Sequence, residues 1–125
     1  MVRTKLLLVD DEEELILPLA ERLRLRNYDT RIATSGIVAL SEIQKERPDI
    51  VLLDLGMPGM SGLEVLEKIK SENSAIEVII LTGQLDDQSL SEGLKAGAAD
   101  YIVKPIDIED LMNKLQDIIE KRGLN

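Results

Sequence analysis

The chain has 125 residues and a formal net charge of −9, from 15 basic and 24 acidic side chains, and it contains neither cysteine nor histidine. This is the length of one ordinary domain. Thiolate, zinc–thiolate, iron–sulfur and imidazole chemistry are excluded on this chain, and direct binding to nucleic acid or an anionic membrane lacks the basic footprint it needs.

The first apolar run, residues 6–9, is followed at once by Asp10 and Asp11. Leu15, Ile16, Leu19, Ala20 and Leu23 then recur at helical spacing. Asp11 with Glu14 reads as an N-cap and its N3 acid, and Pro18 predicts a local bend. Residues 28–33 mix apolar and polar side chains, as a less buried edge strand does. Ala39, Leu40 and Ile43 mark a second helix. Residues 50–53 form a second fully apolar run ending at Asp54. Ser61 with Glu64 reads as a capping pair, opening a third helix marked by Leu63, Leu66 and Ile69. A third apolar run, 78–81, ends at Thr82 and Gly83. Leu90, Leu94 and Ala96 mark a weaker fourth helix, in which Gly93 costs about 1 kcal/mol relative to Ala. Residues 101–103 are the last apolar run, ending at Lys104 and Pro105. Asp107 and Asp110 then open the clearest stripe: Ile108, Leu111, Met112, Leu115, Ile118 and Ile119.

The order is a βα unit repeated five times. Strands apolar throughout are those covered on both faces, so the expected architecture is α/β: one doubly wound, five-stranded parallel (βα)5 sheet over residues 1–125. There is no signal-like leader and no run near the roughly 20 apolar residues that span a bilayer. The expectation is a cytoplasmic protein without a membrane role.

In such a sheet, ligands bind beyond the carboxyl ends of the strands. Asp10, Asp11, Asp54, Thr82, Gly83 and Lys104 all follow apolar runs, so three carboxylates, a hydroxyl and an ammonium are expected on one edge. Clustered carboxylates need a cation, and hard oxygen ligands without His or Cys favour Mg2+ or Mn2+. A tetrahedral anion fits between that ion, Lys104, the Thr82 hydroxyl and the Gly83 amide, as in phosphoryl-transfer sites. With no other nucleophile in view, Asp54 is the expected phosphoacceptor.

Four pieces carry a family resemblance: Leu7-Leu8-Val9-Asp10-Asp11-Glu12, Leu53-Asp54-Leu55-Gly56-Met57-Pro58-Gly59-Met60-Ser61-Gly62, Ile80-Leu81-Thr82-Gly83, and Gly97-Ala98-Ala99-Asp100-Tyr101-Ile102-Val103-Lys104-Pro105. In this order the sequence resembles a response-regulator receiver domain of two-component signalling along essentially its whole length. The resemblance implies a flavodoxin-like fold with strand order 2-1-3-4-5. It implies a signalling switch rather than an enzyme acting on a separate substrate, one that catalyses only its own phosphoryl transfer and dephosphorylation. Asp54 accepts the phosphoryl group. Asp11, Asp54 and the Gly56 carbonyl hold the divalent ion, with Asp10 acting through water. Lys104 pairs with the phosphoryl group and precedes a cis Pro105. Thr82 and Tyr101 switch, altering the face formed by the fourth helix, fifth strand and fifth helix. Gly56 and Gln84 tune dephosphorylation. The implied partners are a sensor histidine kinase or histidine phosphotransfer protein and a downstream effector domain or protein. The Met1 start suggests an N-terminal position, whether the domain stands alone or heads a longer regulator.

Two other readings use the same residues. A haloacid-dehalogenase-like phosphatase shares the Asp, Thr and Lys set, but its nucleophile follows the first strand and is trailed by a second Asp, where this chain has Gly56. A receiver-like interaction module that takes no phosphoryl group would retain the fold alone. A nucleotide or flavin binder is disfavoured, because the acidic stretch after the first strand repels phosphate and no glycine-rich cradle is present.

Overall fold

The computed structural model describes residues 3–83 and 87–123. Five strands alternate with five helices in this span. They are β1 (Lys5–Val9), α1 (Glu13–Leu25), β2 (Asp29–Ala33), α2 (Gly36–Lys45), β3 (Ile50–Asp54), α3 (Gly62–Glu72), β4 (Glu77–Thr82), α4 (Asp87–Lys95), β5 (Asp100–Val103) and α5 (Ile108–Arg122). All pairings are parallel and the sheet order is β2-β1-β3-β4-β5, the expected flavodoxin-like arrangement. The mixed strand β2 lies at an edge.

The alternation of a strand explains why the central runs carry no polar residue. Leu6 and Leu8 of β1, with Ile50 and Leu52 of β3, join a core with α1 and α5 residues such as Ile16, Leu23, Leu111 and Leu115. Leu7, Val9, Val51 and Leu53 face the other way, into a core with Ala39 of α2 and Val65, Leu66 and Ile69 of α3. Each central strand is thus apolar on both faces because each face is roofed by helices.

Helix starts follow local chemistry. Ser61 and Glu64 form the reciprocal capping box at α3, and the Asp107 carboxylate accepts from the Glu109 and Asp110 amides at α5. The start of α1 differs from expectation. Its N-cap is Glu12, not Asp11, and no side chain caps it there. The physical reason lies one residue earlier: Asp10 Oδ1 accepts the Glu12 amide at 2.9 Å, which tightens the strand-to-helix turn and leaves Asp11 exposed. The helix runs on through Pro18, keeping Ile16, Leu19, Ala20 and Leu23 buried.

Helix α4 is the least embedded. Gly93 is its buried position, Leu90 is half-buried, and Leu94 is 41% exposed. No described helix is long and apolar enough to cross a membrane.

Candidate functional site: an acidic cluster clamped by Lys104

The parallel register brings four strand ends together. Val9 pairs with Leu53, Asp54 with Leu81, and Thr82 with Val103, so Asp10, Asp54, Thr82 and Lys104 emerge along one edge. Backbone bonds fix the exits: the Asp10 amide donates to Ala33 O at 3.1 Å, and the Lys104 amide donates to Thr82 O at 2.7 Å. After Asp54 the chain turns sharply, and the Gly56 amide donates to Asp54 Oδ1 at 3.0 Å. Gly62 closes this loop against the strand it left. A Cβ built there would lie 2.3 Å from the Asp54 carbonyl oxygen and 2.4 Å from Leu55 Cα, so only glycine permits the approach.

Asp10 is fully buried and Asp54 is 6% exposed. Oxygens of Asp10, Glu12 and Asp54 lie within 4.8 Å of one another. At that separation two carboxylates repel by about 3 kcal/mol in a medium of effective dielectric near 20. Lys104 opposes this. Its Nζ lies 2.8 Å from Asp10 Oδ2, 2.7 Å from Glu12 Oε1 and 3.6 Å from Asp54 Oδ2. Burial works against the charge on Lys104, but the contacts to Asp10 and Glu12 and the charge of Asp54 outweigh it, so its pKa sits above the ordinary lysine value. Asp54 is raised above the usual carboxylate range. Burial is the main cause and the Asp10 charge adds to it, against the Gly56 amide and Lys104.

One ammonium does not balance three carboxylates. Asp10 Oδ2 is moreover a buried oxygen that meets Lys104 only as an ion pair, without a hydrogen bond of good geometry. A hard, all-oxygen donor set with a negative surplus and an orphaned buried oxygen fits a divalent cation such as Mg2+.

A cavity opens above this cluster, lined by Asp11, Glu12, Asp54, Leu55, Gly56, Thr82, Gly83, Ser89, Leu90 and Lys104. Sequence reading named most of these. The structure brings Asp10, Asp54 and Lys104 into direct contact and places Asp11, Gly56, Thr82 and Gly83 around the same opening. The Lys104–Pro105 peptide is cis, as expected. Tyr101 is half-buried on β5 and is not part of the lining; Lys114 Nζ stands 4.9 Å from its ring centre and also donates to its carbonyl oxygen. Gln84 lies outside the described residues. Glu12, Leu55 and, on α4, Ser89 and Leu90 are the lining residues that sequence reading did not assign to the site. An acid at position 12 reads as one more solvated charge at a helix start; only the fold shows Lys104, 92 positions away, beside it.

Residues 6–116 match the family model for the response regulator receiver domain. The chain belongs to the response regulator receiver family. Receivers act generally as phosphorylation switches in two-component systems, and this one is similar over almost its full length to proteins of that kind. Sporulation initiation phosphotransferase F of Bacillus subtilis is 36% identical over 116 residues, which cover 93% of this chain and 94% of that protein. The probable transcriptional regulatory protein TcrX of Mycobacterium tuberculosis is 36% identical over 118 residues, covering 94% of this chain but 50% of TcrX. The receiver thus spans about half the length of TcrX and of the RegX3 proteins it also matches. Among solved structures, a CheY-like receiver domain protein from Methanospirillum hungatei superposes with a TM-score of 0.94 at 28% identity, covering 98% of both chains.

Proposed function

We propose that this receiver takes a phosphoryl group on Asp54 from a phosphohistidine of a partner protein, with Mg2+ or Mn2+ bound, and that the modification controls an output. The observation that carries this is the buried Asp54 carboxylate, opening onto a cavity with the Lys104 ammonium 3.6 Å away. These 125 residues contain no histidine, so the phosphohistidine comes from outside this domain. A sensor histidine kinase or a histidine phosphotransfer protein fits that role.

Asp11, Asp54 and the Gly56 carbonyl are the residues to hold the ion, with Asp10 behind them. The ion, when bound, neutralises carboxylate charge and accepts a phosphoryl oxygen. In the transfer, an Asp54 carboxylate oxygen forms the new bond to phosphorus while the phosphorus–nitrogen bond to imidazole breaks, and the electron pair leaves on the imidazole. Lys104 pairs with a second phosphoryl oxygen, and the Thr82 hydroxyl with the Gly83 amide receives the third. In reversal to the resting state, water attacks phosphorus and Asp54 is regained as a carboxylate with inorganic phosphate released. Gly56 leaves open, for that water, the space that a Cβ would fill 3.6 Å from Asp54 Oδ1. Gln84 is the second residue assigned to tuning this step.

Thr82 and Tyr101 couple the site to the face of α4, β5 and α5. The exposed Leu94 and Val103 on that face suit it to a partner, and the shallow embedding of α4 suits a segment that rearranges. The output is an effector domain or a separate protein, as the two lengths of relative illustrate. We place the receiver in the cytoplasm, without direct nucleic-acid or membrane contact of its own. It does not act as an enzyme on a separate substrate.

The test is intact mass after incubation with acetyl phosphate and Mg2+, beside Asp54→Asn and a chelated control. Gain of one phosphoryl group, lost in both controls, is expected. No gain in the wild-type protein with Mg2+ still bound would overturn the assignment.

A further inference from the structure

Glu12, a resting partner of Lys104, is not among the residues assigned above to hold the ion, and its side chain does not cap its helix. Glu12 is the N-cap of α1, yet its side chain makes no cap hydrogen bond, unlike Ser35, Ser61 and Asp107 at the other capped helices. Its amide is already taken by Asp10 Oδ1. The side chain crosses the edge of the sheet instead, and Glu12 Oε1 accepts from Lys104 Nζ at 2.7 Å, the shortest of the three carboxylate contacts that lysine makes. The pair is asymmetric: the Lys104 side chain is 13% exposed and the Glu12 side chain 60%. Glu12 is the exposed member of the pair, whereas Lys104 is far less exposed and also meets Asp10.

From this juxtaposition we infer that Glu12 is a positioning residue that restrains Lys104 in the unphosphorylated receiver, and that phosphoryl uptake on Asp54 has to draw Lys104 away from it. Two effects act in the same direction. Glu12 occupies a donor of the ammonium that the incoming phosphoryl group needs, and its carboxylate adds negative charge within 4.8 Å of Asp10 and Asp54, where anionic oxygens must arrive. Glu12 therefore slows uptake without touching the reacting atoms. The inference rests on Asp54 being the phosphoacceptor.

The test uses Glu12→Gln, which keeps shape and removes charge, with Glu13→Gln as a control for net charge, since Glu13 is exposed on the first turn of α1. Two quantities are read. The first is the rate of phosphoryl uptake from acetyl phosphate with Mg2+ by intact mass; here the Asp54 oxygen bonds to phosphorus as the phosphorus–oxygen bond to the acetyl group breaks and acetate leaves. The second is the rate of Lys104 acylation by acetic anhydride in metal-free protein, read by peptide mass. An exposed, charge-assisted pair predicts that both rates rise by about threefold to tenfold in Glu12→Gln and stay near wild type in Glu13→Gln. Uptake equal to or slower than wild type, or unchanged Lys104 reactivity, overturns the inference and leaves the role of Asp54 standing. A wild-type protein that gains no phosphoryl group overturns both.

Discussion

Gly93 offers the sharpest test of how α4 is seated. Glycine in a helix interior costs about 1 kcal/mol relative to alanine, so Gly93→Ala on an isolated helix would be stabilising. In the folded chain a Cβ at this position would stand 2.4 Å from Ile80 Cδ1, with Ile80 Cγ1 at 3.7 Å and Leu55 Cδ1 at 3.8 Å. Carbon atoms in good contact sit at about 3.5–4.0 Å. The conflict is therefore with one terminal methyl of a fully buried side chain. Overpacking of this kind costs about 1–3 kcal/mol, so the single substitution should destabilise by about 0–2 kcal/mol after the propensity gain. Ile80→Val removes the offending methyl at a cost of about 0.5–1.5 kcal/mol. In that background the next atom is already at ordinary contact, and Gly93→Ala should now stabilise, by up to about 1 kcal/mol. The coupling between the sites is then about 1–3 kcal/mol. Urea unfolding of the four proteins measures it, and in thermal melts each 1 kcal/mol should move the midpoint by roughly 3–6 °C. If Gly93→Ala has the same effect in both backgrounds, the seating of α4 on Ile80 is not what demands glycine.

Three further outcomes are expected. Gly62→Ala meets backbone rather than a side-chain tip, so it should destabilise by about 3 kcal/mol or more in urea unfolding and slow phosphoryl uptake through displacement of Asp54; wild-type stability would refute the close approach. Asp54→Asn should raise metal-free stability at neutral pH by on the order of 1 kcal/mol, since it removes a repelled, buried carboxylate whose folded pKa is raised. A raised carboxylate binds more protons folded than unfolded, so its contribution is present at low pH and lost as pH rises through the folded pKa; unfolding curves from about pH 4 to pH 7 should show the Asn variant gaining on wild type as pH rises. Ser61→Ala breaks the α3 capping box and should cost about 1 kcal/mol, and a change below a few tenths would count against that cap.

The parts of the fold readable from sequence were those where burial dictates composition. Residues 50–53 of β3 are apolar because both faces are covered, and the edge strand β2 mixes residues because it is covered less completely. Strand ends were readable as well: the first polar residue after each run marks where the apolar strand gives way to the edge, which located Asp10, Asp54, Thr82 and Lys104. Capping chemistry found Ser61 and Asp107 but misplaced the start of α1, because five acids in succession, Asp10 to Glu14, offer the same signal and only the turn closed by Asp10 Oδ1 sets the N-cap at Glu12. Glu12 at Lys104 and Ser89 and Leu90 over the cavity depend on contacts between distant elements, for which local pattern carries no trace. Gly93 looked like a weakness and is instead a fit against Ile80.

The cavity draws its charges from both ends of the chain's history. Its acids lie at the ends of β1 and β3, and its cation follows β5, the fifth strand in chain order. The pairing of β5 with β4 sets one ammonium among Asp10, Glu12 and Asp54. The charge balance of this edge is therefore completed only by the fifth strand of the sheet, far in sequence from the acids that its lysine offsets.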